Sequence, residues 1–101
     1  MVQQLDTLAA VYAALEANAQ RLVVLYFYQQ QCPNCVKAAP TVEARAAQGA
    51  LVFKVDNGVN RTAADRFEIP GGPSFIFVRN GLVVARQVGF TKPNFDAALK
   101  L

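Results

Sequence analysis

The stretch Leu22-Val23-Val24-Leu25-Tyr26-Phe27-Tyr28-Gln29-Gln30-Gln31-Cys32-Pro33-Asn34-Cys35-Val36-Lys37 decides the architecture of this chain. Its first seven residues are apolar without alternation, the pattern of a central strand covered on both faces, as in parallel sheets. Val, Tyr and Phe suit such a strand. The polar break Gln29-Gln30-Gln31 reads as a solvated loop. The only two cysteines follow, spaced C-x-x-C, with Pro33 directly after the first. Proline is tolerated in the first turn of a helix, where its missing N–H would be unpaired anyway. The stretch therefore predicts a buried strand that delivers two thiols to a helix N-terminus.

Outward from this unit the chain alternates. Val2 to Leu5 predicts a short first strand, and Asp6 or Thr7 caps a helix over 7–19. In that helix Leu8, Val11, Tyr12 and Leu15 fall at i, i+3, i+4 and i+7, on one face. The helix after Cys32 is expected to run to about Gln48 and stop at Gly49. Pro40 inside it removes the bond to the Val36 carbonyl and predicts a kink. Leu51 to Val55 reads as a strand, and Val59, Ala63, Ala64 and Phe67 as a short helix. Ile69-Pro70-Gly71-Gly72-Pro73 is a dense breaker segment. Ser74 to Arg79 and Leu82 to Val88 are strands joined by Asn80-Gly81, the strongest two-residue hairpin signal. Thr91 caps a last helix that turns Phe95, Ala98 and Leu99 inward. The order is β-α-β-α-β-α-β-β-α. That predicts an α/β fold, a central mixed sheet with a parallel core and an antiparallel C-terminal hairpin, flanked by helices.

Length and composition bound what such a fold can do. The 101 residues make one domain, 1–101, long enough to bury a core. With 53% hydrophobic and 17% charged residues, the chain is excluded from the disordered class. The net charge of +3 comes from scattered Lys and Arg, which form no nucleic-acid stripe. No apolar run reaches membrane-spanning length, and the N-terminus lacks a secretory pattern. The expected location is the cytoplasm, where a permanent structural disulfide is disfavoured and a cysteine pair is more often catalytic or metal-binding. A zinc site needs further Cys or His ligands, and the chain has no His and no third Cys. Metal is left only a site shared between subunits, and no resident cofactor is implied.

The spacing also predicts a division of labour. With Cys32 at the N-cap or first position, Cys35 lies one turn later on the same side. The unpaired N–H groups and the helix dipole favour a thiolate at Cys32. Cys35, further in and shielded, is expected to keep its proton. Cys32 would then attack a disulfide, and Cys35 would resolve the mixed disulfide from within.

The strand–CPNC–helix unit, with Gly72-Pro73-Ser74-Phe75, the Asn80-Gly81 hairpin and Val88-Gly89-Phe90-Thr91, resembles the thioredoxin family over essentially the whole chain. The resemblance implies the thioredoxin fold and a thiol-disulfide oxidoreductase that reduces protein disulfides through Cys32 and Cys35. It implies that Pro73 is cis and faces the cysteines, and that Gly71, Gly72, Gly89 and Phe90 border a substrate groove. Phe90 reads equally well as core. It further implies a monomer that acts on disulfide-containing proteins and is recharged by a thioredoxin reductase or by glutathione. Four departures stand out. The chain has no Trp beside the cysteines, Pro33 and Asn34 lie between them, and Gly72 replaces the usual branched residue before the cis-proline. In addition, Tyr26 and Val52 occupy the places of the family's buried carboxylate and its lysine. Without that carboxylate, Cys35 is expected to give its proton to water or to the Tyr26 hydroxyl. Two alternatives remain at this level: a thioredoxin-fold binding module with vestigial or regulatory thiols, and a glutaredoxin-like or oxidising enzyme.

Overall fold

The computed structural model describes residues 2–101. The strands are β1 (Gln3–Gln4), β2 (Val23–Tyr28), β3 (Leu51–Asp56), β4 (Ser74–Arg79) and β5 (Leu82–Val88). The helices are α1 (Leu8–Ala17), α2 (Pro33–Ala47), α3 (Arg61–Arg66) and α4 (Lys92–Ala98). The sheet order is β1-β3-β2-β4-β5. β1, β3 and β2 run parallel, β4 is antiparallel to β2, and β5 is antiparallel to β4. This is the mixed α/β sheet expected from the element order, and it is the arrangement that the thioredoxin resemblance implies.

β2 is central because both its faces are apolar. Val23, Leu25 and Phe27 point to one side, where they pack with Val11 and Leu15 of α1, Ala63 of α3, Val55 and Ile76. Val24 and Tyr26 point to the other, among Ala38 and Val42 of α2, Phe75, Phe77 and Phe95 of α4. The sheet thus lies between two helical layers, each with its own apolar cluster. Phe95 anchors the second layer edge-on to Phe75 at 5.0 Å between ring centroids.

Local signals account for the element ends. The Thr7, Asn60 and Thr91 side chains accept N–H bonds at the starts of α1, α3 and α4. Gly49 ends α2 at φ +108°, a left-handed conformation that glycine adopts without steric cost. Asn80 and Gly81 both have positive φ, as a two-residue hairpin of the primed type requires. The α2 helix continues past Pro40, which lies on its exposed side.

Several expectations are corrected. The first strand spans only Gln3–Gln4, although Leu5 still donates its N–H to the Lys54 carbonyl at 2.9 Å, and α1 is two residues shorter at its end than the expected 7–19. Tyr12 is 40% exposed. It sits at the margin of the α1 stripe, beside Phe67 and under the Arg66 guanidinium, 5.9 Å from its ring centroid. Val59 is exposed because the Asn60 cap starts α3 after it. Leu99 faces inward as expected, packed against the second cluster, but from just beyond the end of α4.

Candidate active site

The site is assembled where β2 ends and α2 begins. Cys32 is the N-cap of α2, in an extended conformation, and Pro33 follows at the first helical position. The Cys32 Sγ accepts the Cys35 N–H at 3.2 Å, as a capping oxygen would. Cys32 and Cys35 are joined as a disulfide, with Cα atoms 5.2 Å apart, within the range such a bond needs. Both residues are buried, Cys32 at 7% exposure and Cys35 at 5%. Burial alone therefore does not distinguish them, contrary to the expectation of a markedly more shielded Cys35. Hydrogen bonding does distinguish them, since only Cys32 receives a helix N–H. Pro33 and Asn34 are exposed.

The breaker segment before β4 folds over the cysteines. The Gly72–Pro73 peptide is cis, and the Gly72 carbonyl oxygen lies 3.5 Å from Cys32 Sγ. Gly72 also approaches the far side of the motif. A Cβ built there would stand 2.9 Å from Cys35 Sγ and 3.2 Å from both Gln29 N and Tyr28 Cα. Ser74 Oγ donates to the Gly71 carbonyl at 2.7 Å, and the Gly89 N–H donates to the Pro73 carbonyl at 2.8 Å. Gly71, Gly72, Pro73 and Gly89 are thus brought together. The Phe90 ring packs against Phe75 and Phe95, both at 5.9 Å, and is half-buried. It is a boundary residue, part core and part surface.

Tyr26 takes a different position from the one expected of a proton acceptor. Its hydroxyl donates to the Cys35 carbonyl at 3.2 Å. Burial, with smaller contributions from Tyr28 and Glu43, pushes its pKa up to about 12. The hydroxyl is therefore a donor that stays protonated at neutral pH, and the expectation that it takes the Cys35 proton is corrected. Its ring stacks on Phe75 at 5.1 Å. Beside it, Cys32 and Cys35 open on a cavity of about 260 Å³, also lined by Tyr28, Glu43 and Lys54.

The glutamines ahead of Cys32 form the exposed loop expected of them, but their side chains also make specific contacts. Gln29 Oε1 accepts the Gly72 N–H at 3.3 Å, Gln30 donates to Asp56 Oδ2 at 3.0 Å, and Gln31 has φ +57°. Burial pushes the Asp56 carboxyl up, but hydrogen bonds from Gln30 and from the Gly58 and Val59 N–H groups outweigh it and hold it below the usual carboxylate range. Nothing in the local sequence marks the Gln29–Gly72 and Gln30–Asp56 contacts, because their partners are 43 and 26 positions along the chain. Among the described residues no group of three or more His, Cys, Asp or Glu is placed to hold a metal ion, and no helix is long and apolar enough to cross a membrane.

Comparison with known proteins agrees with this geometry. The family model for thioredoxin matches residues 5–100. Thioredoxin H4 of Arabidopsis thaliana is 33% identical over 89 residues, covering 85% of this chain and 73% of that protein. Thioredoxin-2 of Saccharomyces cerevisiae is 34% identical over 91 residues, covering 88% and 86% respectively. The X-ray structure of Fasciola hepatica thioredoxin superposes with a TM-score of 0.94 at 30% identity, over 98% of this chain and 97% of that one. With a vicinal disulfide at the start of α2 and relatives of this kind along nearly its whole length, the chain belongs to the thioredoxin family and is a thiol-disulfide oxidoreductase.

Proposed function

We propose that the protein works in the reducing direction on protein disulfides, with Cys32 as nucleophile and Cys35 as resolving thiol. The observation that carries the division of roles is the N–H of Cys35 aimed at Cys32 Sγ. A helix N–H and the positive end of the α2 dipole both favour the thiolate at Cys32 over the thiol. In the dithiol state that thiolate attacks one sulfur of the substrate disulfide. A Cys32–substrate mixed disulfide forms and the other substrate sulfur leaves as a thiolate, which takes up a proton. Cys35 then loses its proton and attacks Cys32 Sγ, expelling the second substrate thiol. The substrate gains two electrons and two protons, and the protein is left with the Cys32–Cys35 disulfide. Because Tyr26 stays a protonated donor, water in the cavity beside Cys35 receives the proton in this reading.

The remaining positions take supporting roles. Pro33 starts the helix and uncharged Asn34 adds no charge beside the thiolate. Tyr26 holds the Cys35 carbonyl. Gly71, Gly72, Pro73, Gly89 and Phe90 border the groove where a substrate chain lies. The protein acts as a single domain, 1–101, and as a monomer in the cytoplasm. There it carries electrons for redox homeostasis from a thioredoxin reductase or from glutathione. An insulin precipitation assay with dithiothreitol tests the catalytic roles. The wild type should accelerate turbidity, Cys32→Ser should not, and Cys35→Ser should trap a mixed disulfide. A wild type no faster than Cys32→Ser would leave a binding module with non-catalytic thiols. A strongly oxidising potential against glutathione would reverse the direction.

A further inference from the structure

Gly72 presents two backbone polar groups to the active-site loop. Its carbonyl oxygen lies 3.5 Å from Cys32 Sγ, and its N–H is taken by Gln29 Oε1 at 3.3 Å. A substrate sulfur bonded to Cys32 brings its own chain against the segment whose carbonyl lies beside that sulfur, which is Gly72. Extended chains are held by pairing their main-chain groups with free N–H and C=O groups of a partner, and an antiparallel pair exchanges both bonds with one residue. The acceptor that the Gly72 N–H would take from such a chain is an amide carbonyl oxygen. The Gln29 side chain ends in the same group. Gly72 carries no side chain to stand between them, and the atom that a Cβ built at Gly71 would meet is again Gln29 Oε1, at 3.9 Å.

We infer that Gln29 is an internal stand-in for the substrate main chain, a specificity-determining latch that an extended protein substrate must displace and a small disulfide need not. The latch moves as a side chain alone. Gln29 is exposed and free to swing out, whereas the neighbouring Gln30 is tied to Asp56 and holds the loop. This rests on the reading of Gly71–Pro73 as the wall of the substrate groove. Opening the latch costs one neutral hydrogen bond, so its removal should raise reactivity toward protein disulfides about two- to tenfold.

The test compares second-order rate constants for oxidation of the pre-reduced protein by insulin and by 2-hydroxyethyl disulfide, followed by acid quenching and thiol alkylation. The ratio of the two constants cancels changes in Cys32 nucleophilicity. In Gln29→Ala and in Gln29→Leu, which keeps the bulk but loses the acceptor, the ratio should rise about two- to tenfold over wild type. An unchanged or lower ratio in both variants overturns the latch and leaves Gln29 as a loop-positioning residue. A rise in Gln29→Ala alone also overturns it, in favour of simple steric hindrance. A wild type that reacts with the small disulfide but not with insulin overturns the groove reading together with the latch.

Discussion

Gly72 has no room for a side chain, because an added Cβ would meet Cys35 Sγ at 2.9 Å and the backbone of Tyr28 and Gln29 at 3.2 Å. The backbone contacts exist in both redox states. The sulfur contact is fixed only in the disulfide, since a free thiol can rotate away. Gly72→Ala should therefore lower the Tm of both forms, and that of the oxidised form more, the sulfur contact adding overpacking of about 1–3 kcal/mol in that form alone. That difference corresponds to a reduction potential higher by about 20–60 mV, at roughly 30 mV per 1.4 kcal/mol. Redox titration of the variant against the wild type measures it, and an unchanged potential would show that the sulfur contact is relieved without cost. From the sequence, Gly72 stood out as part of a breaker segment, as an implied border of the groove and as an unusual residue before the cis-proline. Its packing against Cys35 depends on a segment 37 positions away, which no local pattern encodes. Tyr26 is similar: its burial in β2 was legible from the apolar run, but the bond from its hydroxyl to Cys35 was not.

At the scale of elements, α2 and α4 are tied by Arg45 and Asp96, whose side chains meet through two bonds of 2.7 and 3.1 Å. Lys92 gives Asp96 a second partner and a third bond, at 3.0 Å. Hydrogen bonding to Arg45, then to Lys92, holds the Asp96 carboxyl well below the usual carboxylate range. The folded state thus releases the Asp96 proton at lower pH than the unfolded chain does. The pair's contribution is fully present above the unfolded value near pH 4 and is lost as pH falls toward the depressed folded value. Asp96→Asn should lower the urea midpoint at pH 7, and its difference from wild type should shrink as pH drops below about 4. Added salt should narrow the same difference, because the pair is partly exposed. A constant difference across that range would assign the effect to packing instead. The helices themselves were readable from caps and periodicity; which of their charged faces meet was not, because the partners are 51 positions apart.

The whole molecule is held by two apolar clusters on either side of the sheet, and neither contains a cysteine. The Cys32–Cys35 bond closes a loop of four residues. In the chain-entropy account so short a loop contributes only about 2 kcal/mol. Reduction should leave a cooperatively folded protein, with urea unfolding free energy lower by about 2 kcal/mol or less; unfolding on reduction would contradict this. Such independence suits a protein that opens and closes the bond in each cycle. The sequence by itself determined the element order, the central place of β2, the hairpin at Asn80-Gly81 and the reactive pair at the head of α2. These follow from periodicity, caps and turn residues, which act over a few neighbouring positions. Only the tertiary structure decided that Tyr12 lies at the surface, that Tyr26 is a donor to Cys35, and that Gln29 occupies the Gly72 N–H beside Cys32. Those outcomes depend on how distant segments close on one another, and hydrogen bonds across 43 positions leave no trace in the residues on either side of them.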